Sequence, residues 1–193
     1  MEEFDIILFE ENYHNGECRL EVEGNIITMS EWEDCYETLI EPASEYVMVC
    51  TQKLFYNDTF TLMREGNYLK LGGTKIGIWK EYDREGSLIN EIDYDKDWGA
   101  CWNDLLKQLA LNEINLKTVV RISRCVEVEE NDEIKEYESA DFIEDNRREM
   151  YDGNAILRHW KITVLLSPMV KQVYYFDGET GNKLWSEFLF KEN

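Results

Sequence analysis

Apart from carboxylates, the side chains able to do chemistry are few. The 193-residue chain holds two histidines, His14 and His159, and five cysteines, at positions 18, 35, 50, 101 and 125, beside 41 Asp+Glu. Neither histidine stands in a recognised ligand or catalytic motif. His159 directly precedes an alternating segment and reads as structural. No two cysteines lie closer than 15 residues, so there is no CxxC pair for a metal or a redox couple, and the odd count does not suit a disulfide framework. No GxGxxG or GxxxxGK[ST] fingerprint occurs, so nucleotide binding has no signature. Asp93-x-Asp95-x-Asp97, with Asp104 in the twelfth place, has the outline of a calcium loop. Trp98 stands where such a loop needs Gly, however, and Asp104 replaces the final Glu. The run reads instead as a solvated strand end feeding a helix cap. Paired carboxylates for hydrolysis cannot be singled out among so many acids. These observations lead to the expectation of a non-enzymatic protein with no cofactor and no metal. An enzyme with a cryptic acid- or metal-based site and a structural, oligomerising β-sheet protein remain as alternatives.

Charge narrows the choice of partner. Lys+Arg number 20 against 41 acids, so 20 − 41 gives a net charge of −21. Such a chain repels phosphate and lacks the basic stripe that releases counterions from nucleic acid, and an anionic membrane surface is disfavoured for the same reason. A basic protein partner is the electrostatically suited one. The acids with the strongest claim to a contact are Asp93, Asp95 and Asp97, together with Glu127, Glu129, Glu130, Asp132 and Glu133 in the acidic stretch 127–138, which reads as including an exposed loop. The N-terminus is acidic and carries no basic segment followed by an apolar run, and no uninterrupted apolar stretch reaches the ~18 residues of a membrane span. Free thiols in a reducing cytosol, and hence a cytoplasmic protein, are the expectation.

The elements that must position these residues follow from periodicity. Residues 4–9 read as a strand. Asn15-Gly16 and Gly24-Asn25 read as turns around the alternating segment 18–24. Ser30 and Glu33 form a capping-box pattern ahead of Trp32, Tyr36, Leu39 and Ile40, which predicts a helix stopped by Pro42. Segments 46–51, 60–63, 68–71 and 76–79 read as short strands, parted by Asn57-Asp58, Gly66-Asn67 and Gly72-Gly73. Trp98, Trp102, Leu105, Leu106 and Leu109 predict an amphipathic helix over 98–111 capped by Asp97. A short helix after Asn115, a strand near Cys125 and a helix over 139–152 follow. The tail then reads as three antiparallel strands turning at Pro168 and at Asp177–Asn182. The fold class is α+β: an antiparallel meander with two to four helices packed on the sheet. It divides into a β-rich part over 1–111 and a small α+β part over 112–193, or forms one continuous domain. One internal echo stands out: Tyr82-Asp83…Gly86…Leu88…Glu91 and Phe176-Asp177…Gly181…Leu184…Glu187 both run aromatic, Asp, a turn ending in Gly, then Leu-x-x-Glu.

Two segments resemble known families. Gly77, Trp79, Tyr82, Gly86, Leu88, Glu91 and Tyr94 match the pattern G-x-W-x-x-Y-x-x-x-G-x-L-x-x-E-x-x-Y, so the segment 77–94 resembles one unit of the MORN-variant repeat, an aromatic-rich β-hairpin. Bacterial proteins with such hairpins include antitoxin-like and immunity-like proteins, so the resemblance implies a role in neutralising a partner toxin. The match covers about 20 residues, and the family usually shows several tandem units. Trp160-Lys-Ile-Thr-Val with Val173-Tyr-Tyr-Phe-Asp177-Gly-Glu-Thr-Gly181 is similar, more faintly, to a PepSY domain. Both likenesses imply small binding modules rather than catalytic folds.

Overall fold

The computed structural model describes residues 2–14, 17–44, 48–138 and 155–191. The turn expected at Asn15-Gly16 and the helix expected over 139–152 lie outside these residues. Among the described residues 60% are strand and 12% helix, which overturns the α+β reading with packed helices. The protein is mostly β.

Contacts divide the chain into two units: residues 1–70 with 75–94, and residues 71–74 with 95–193. The first opens with helix α1 (Ile6–Asn12) and continues as an antiparallel sheet of β1 (Tyr13–His14), β2 (Glu17–Val22), β3 (Asn25–Glu31), β4 (Cys35–Pro42), β5 (Val49–Tyr56), β6 (Leu62–Leu69), β7 (Lys75–Tyr82) and β8 (Leu88–Asp93). Strand order follows chain order from β1 to β8. The second unit contains α2 (Trp102–Leu111), a 3₁₀ turn at Leu116–Thr118, and β9 (Val119–Glu130), β10 (Glu133–Glu138), β11 (Ala155–Ser167), β12 (Val170–Asp177) and β13 (Lys183–Phe190). Its sheet order is β10-β9-β11-β12-β13, antiparallel throughout.

Several local expectations are corrected. The segment at Phe4–Phe9 is not a strand. Asp5 accepts a 2.9 Å hydrogen bond from the Leu8 amide and caps α1, which buries Phe9. The helix expected after Ser30 is the β3–β4 hairpin, with Ser30 opposite Glu37 and Met29 opposite Thr38. Tyr36 satisfies both periods: as a strand residue it still reaches the core and stacks on Phe4 at 4.6 Å. Tertiary pairing on both sides of β4 outweighs a local capping pattern. Gly66-Asn67 is not a turn but the middle of β6, where the ladder to β7 shifts register. The helix expected over 98–111 begins later, at Trp102, with Cys101 rather than Asp97 at its cap, and buries Trp102, Leu105 and Leu109.

The two echoed turns behave as their residues dictate. Asp83 accepts the Ser87 amide at 2.7 Å, and Asp177 accepts the Thr180 amide at 2.7 Å. Gly86 and Gly181 take φ of +79° and +73°, a region open to glycine at little steric cost. Asn115 likewise caps the 3₁₀ turn by accepting from the Lys117 amide at 3.0 Å.

The first core gathers Phe4, Phe9, Cys18, Met29, Phe55 and Leu62. In the second unit Trp160 is fully buried and donates its indole N–H to the Ala100 carbonyl at 3.1 Å. Trp98 and Trp102 stand 5.5 and 6.4 Å from its ring.

Candidate functional site

Alternation along the five-stranded sheet sorts its side chains onto two faces. Even-numbered Ile122, Arg124, Trp160, Ile162 and Phe176 share one face and are buried. The guanidinium of Arg124 sits 4.9 Å from the Trp98 ring and 4.4 Å from that of Trp160, and Asp95 pairs with it. Asp95 is therefore an anchor for a buried cation, not part of a calcium loop with its neighbours. Asp93 ends β8 in the first unit and is exposed. Asp97 is exposed, with φ +68°.

The other face carries the polar chemistry. Register sets Cys125 opposite His159 between β9 and β11, and Glu136 opposite Glu127 between β9 and β10. Cys125 and His159 are completely buried. His159 Nε2 lies 3.0 Å from Glu136 Oε2 and its Nδ1 3.8 Å from Glu127 Oε1, too far for a hydrogen bond. Nδ1 has no hydrogen-bond partner although it is buried. Lys161 pairs with the other oxygen of Glu136. One sulfur, one nitrogen and one carboxylate oxygen, from Cys125, His159 and Glu136, fall within 4.8 Å of one another. Among the described residues this is the group whose side chains could hold a metal.

Electrostatics follow the geometry. The hydrogen bond from His159 is the main cause that holds Glu136 down at about 2, against the opposing effect of burial. Burial first, and the nearby Glu136 charge second, push the Cys125 thiol far above its ordinary value. Burial opposes the ammonium of Lys161, but its bond to Glu136 prevails and raises it. Tyr175 donates to Glu187 at 2.6 Å and stacks on Trp185 at 4.4 Å, and both rings flank His159.

The sheet's two edges differ in character. The stretch 127–138 is mainly paired strand: β9 and β10 form a hairpin turning at Asn131-Asp132, both with positive φ. It gathers Glu127, Glu129, Glu130, Asp132 and Glu133 on one element, with Glu130 opposite Glu133. Glu130 accepts from Lys135 at 3.0 Å and from Tyr137 at 3.2 Å. At the opposite edge, all eight residues of β13 are exposed, including Leu184, Trp185, Phe188, Leu189 and Phe190. A groove of about 540 Å³ also opens in this unit, lined among others by Asp97, Trp98, Arg158, Asp177 and Glu179.

Sequence reasoning placed the acids of the hairpin but not the cluster behind them. His159 reads as structural and Cys125 as a free thiol because neither has a histidine or another cysteine close by in sequence. Only cross-strand register joins them. The aromatic edge was legible as a final strand, but its near-continuous apolar composition is that of a strand covered on both faces. Comparison with family models, with curated proteins and with solved structures finds no match.

Proposed function

We propose that this chain is a non-enzymatic binding protein of the immunity or antitoxin type, which neutralises a basic partner protein. The observation that carries this reading is the pairing, on one five-stranded sheet, of an acidic hairpin at one edge with an uncovered aromatic strand at the other. Long apolar edge strands are templates for pairing with another chain, and natural proteins usually blunt them with charge or cover. β13 carries only Lys183 and Glu187 as charges along its length. Main-chain pairing to its outer edge, unpaired among the described residues, with pockets taken by Trp185 and Phe188, is a recognised mode of partner capture. A net charge of −21 adds long-range attraction for a cationic surface and speeds encounter. The hairpin resemblance at 77–94 supports the toxin-neutralising form of this reading.

The test is coexpression with the product of the neighbouring gene, followed by affinity capture and growth measurements. The expected result is a stable complex, weakened by salt, and relief of that product's toxicity. A neighbouring product that neither binds nor harms the cell would overturn the immunity assignment.

A further inference from the structure

We propose that Cys125, Glu136 and His159 bind one thiophilic divalent cation of the zinc class, with Glu127 orienting the histidine ring. This rests on the register of β9, β10 and β11 and is independent of the partner reading.

The candidate donors, a sulfur, an imidazole nitrogen and a carboxylate oxygen, lie within 4.8 Å of one another. Zinc holds sulfur at ~2.3 Å and nitrogen or oxygen at ~2.0–2.2 Å, so donors around one tetrahedral ion stand roughly 3–4 Å apart. Small side-chain adjustments close the remaining gap. The 3.0 Å bond between His159 Nε2 and Glu136 Oε2 shows that two of the donors already converge. Mixed S, N and O donors suit zinc better than calcium or magnesium, which take oxygen. Three protein donors leave a fourth position for water or an outside ligand.

His159 is wholly buried, and its Nδ1 makes no hydrogen bond. With Nε2 on a metal, Nδ1 carries the proton. The nearest carboxylate oxygen is Glu127 Oε1, 3.8 Å away. Metal-bound histidines regularly hand their other N–H to a carboxylate, which fixes the ring and its tautomer. A short approach by Glu127 completes that arrangement.

Glu127 and Glu136 face each other directly across the hairpin, and like charges so placed repel; Lys161 offsets the charge of Glu136, and a bound cation would offset it further. A thiolate at Cys125 and the carboxylate of Glu136 together offset a divalent ion. Lys161 holds the other oxygen of Glu136, leaving Oε2 directed at His159. Cys125 and His159 have no solvent exposure, whereas the Glu136 side chain is 32% exposed and marks the solvent side of the site. On loading, the Cys125 thiol gives up its proton to solvent, one proton per ion, and nothing is oxidised or reduced. The ion ties β9, β10 and β11 together.

The experiment uses the full chain, stripped with chelator and titrated with Co²⁺ and then Zn²⁺. Expected results are one ion per chain, a thiolate-to-cobalt absorption band that Zn²⁺ abolishes, and a Tm raised by roughly 5 °C or more at excess Zn²⁺. Cys125→Ser should remove the band, and Glu136→Gln and Glu127→Gln should each weaken binding by about tenfold or more. A wild-type protein that gives no thiolate band and no one-to-one binding overturns the proposal. So does a band that persists unchanged in Cys125→Ser, because the thiolate would then belong to one of the other four cysteines. If Cys125→Ser fails to fold, the affinity of Glu136→Gln, a change at a partly exposed position, assigns the wild-type band: weakened binding places the ion at this site, and unchanged binding overturns the proposal.

Discussion

The Trp79 indole fills the space above Gly66 that a side chain would need: a Cβ on Gly66 would stand 2.2 Å from the ring. The ring is almost wholly buried, donates its N–H to the Asn67 carbonyl at 2.9 Å, and receives Arg64 and Lys75 over its faces at 4.9 and 4.5 Å. Glycine in mid-strand is here a docking platform for a tryptophan. Gly66→Ala should therefore cost about 1–3 kcal/mol by overpacking. In a Trp79→Leu background the same change should cost much less, because the two sites are coupled. Urea unfolding of the four proteins checks this. Equal costs in both backgrounds would disprove the coupling.

Asp95 pairs with Arg124, whose side chain is 1% exposed between two tryptophans. Removing the carboxylate takes the Asp95 ion pair away from a buried cation. Asp95→Ala should destabilise by about 2 kcal/mol. Asp58→Ala breaks the ion pair to Arg84, in which both side chains are more than half exposed, and should leave Tm unchanged within error. Thermal unfolding of the two variants side by side distinguishes buried from surface pairing.

Tyr82 predicts a feature of alkaline stability. Burial, then its 2.8 Å hydrogen bond to Glu65, pushes its phenol from the ordinary 10 up to about 12. The neutral phenol is thus favoured in the folded state. The stability it contributes is complete below pH 10 and is lost as the pH rises to about 12, since the unfolded chain releases that proton first. Tyr82→Phe should flatten the fall in unfolding free energy across this window by up to one proton. An unchanged slope would show that Tyr82 titrates normally.

For the partner interface, charge and aromatics should separate kinetically. Converting Glu129, Glu130, Asp132 and Glu133 to their amides should slow association roughly tenfold at low salt and flatten its salt dependence. Phe188→Lys, at an exposed position of β13, should leave Tm nearly unchanged yet speed dissociation by at least about tenfold. Surface plasmon resonance with the captured partner measures both. Wild-type dissociation from the Phe188→Lys protein would remove β13 from the interface.

Legibility in the sequence varied with the range of the interaction that decides each element. The turns at Asp83–Gly86 and Asp177–Gly181 were readable because side-chain acceptance and positive φ act within five residues. The helix stripe of Trp102, Leu105 and Leu109 was readable because its period is internal. Ser30 misled because a capping pattern says nothing of the ladder partner that β4 finds in β5. Gly66 misled because the tryptophan that covers it stands 13 positions away. Cys125 and His159 lie 34 residues apart and meet only through register, a quantity that composition and spacing do not contain.

The meander of the first unit has a bearing on how such a chain changes over generations. Each interior strand there touches, through its ladder, only the strand before it and the strand after it. No strand must be threaded between two that are already joined, so assembly can proceed as a zipper of near neighbours, which favours quick folding. It also means that a whole hairpin can be gained or lost without rerouting the remainder. Length, more than topology, is the property that inheritance can most freely adjust in this half of the molecule.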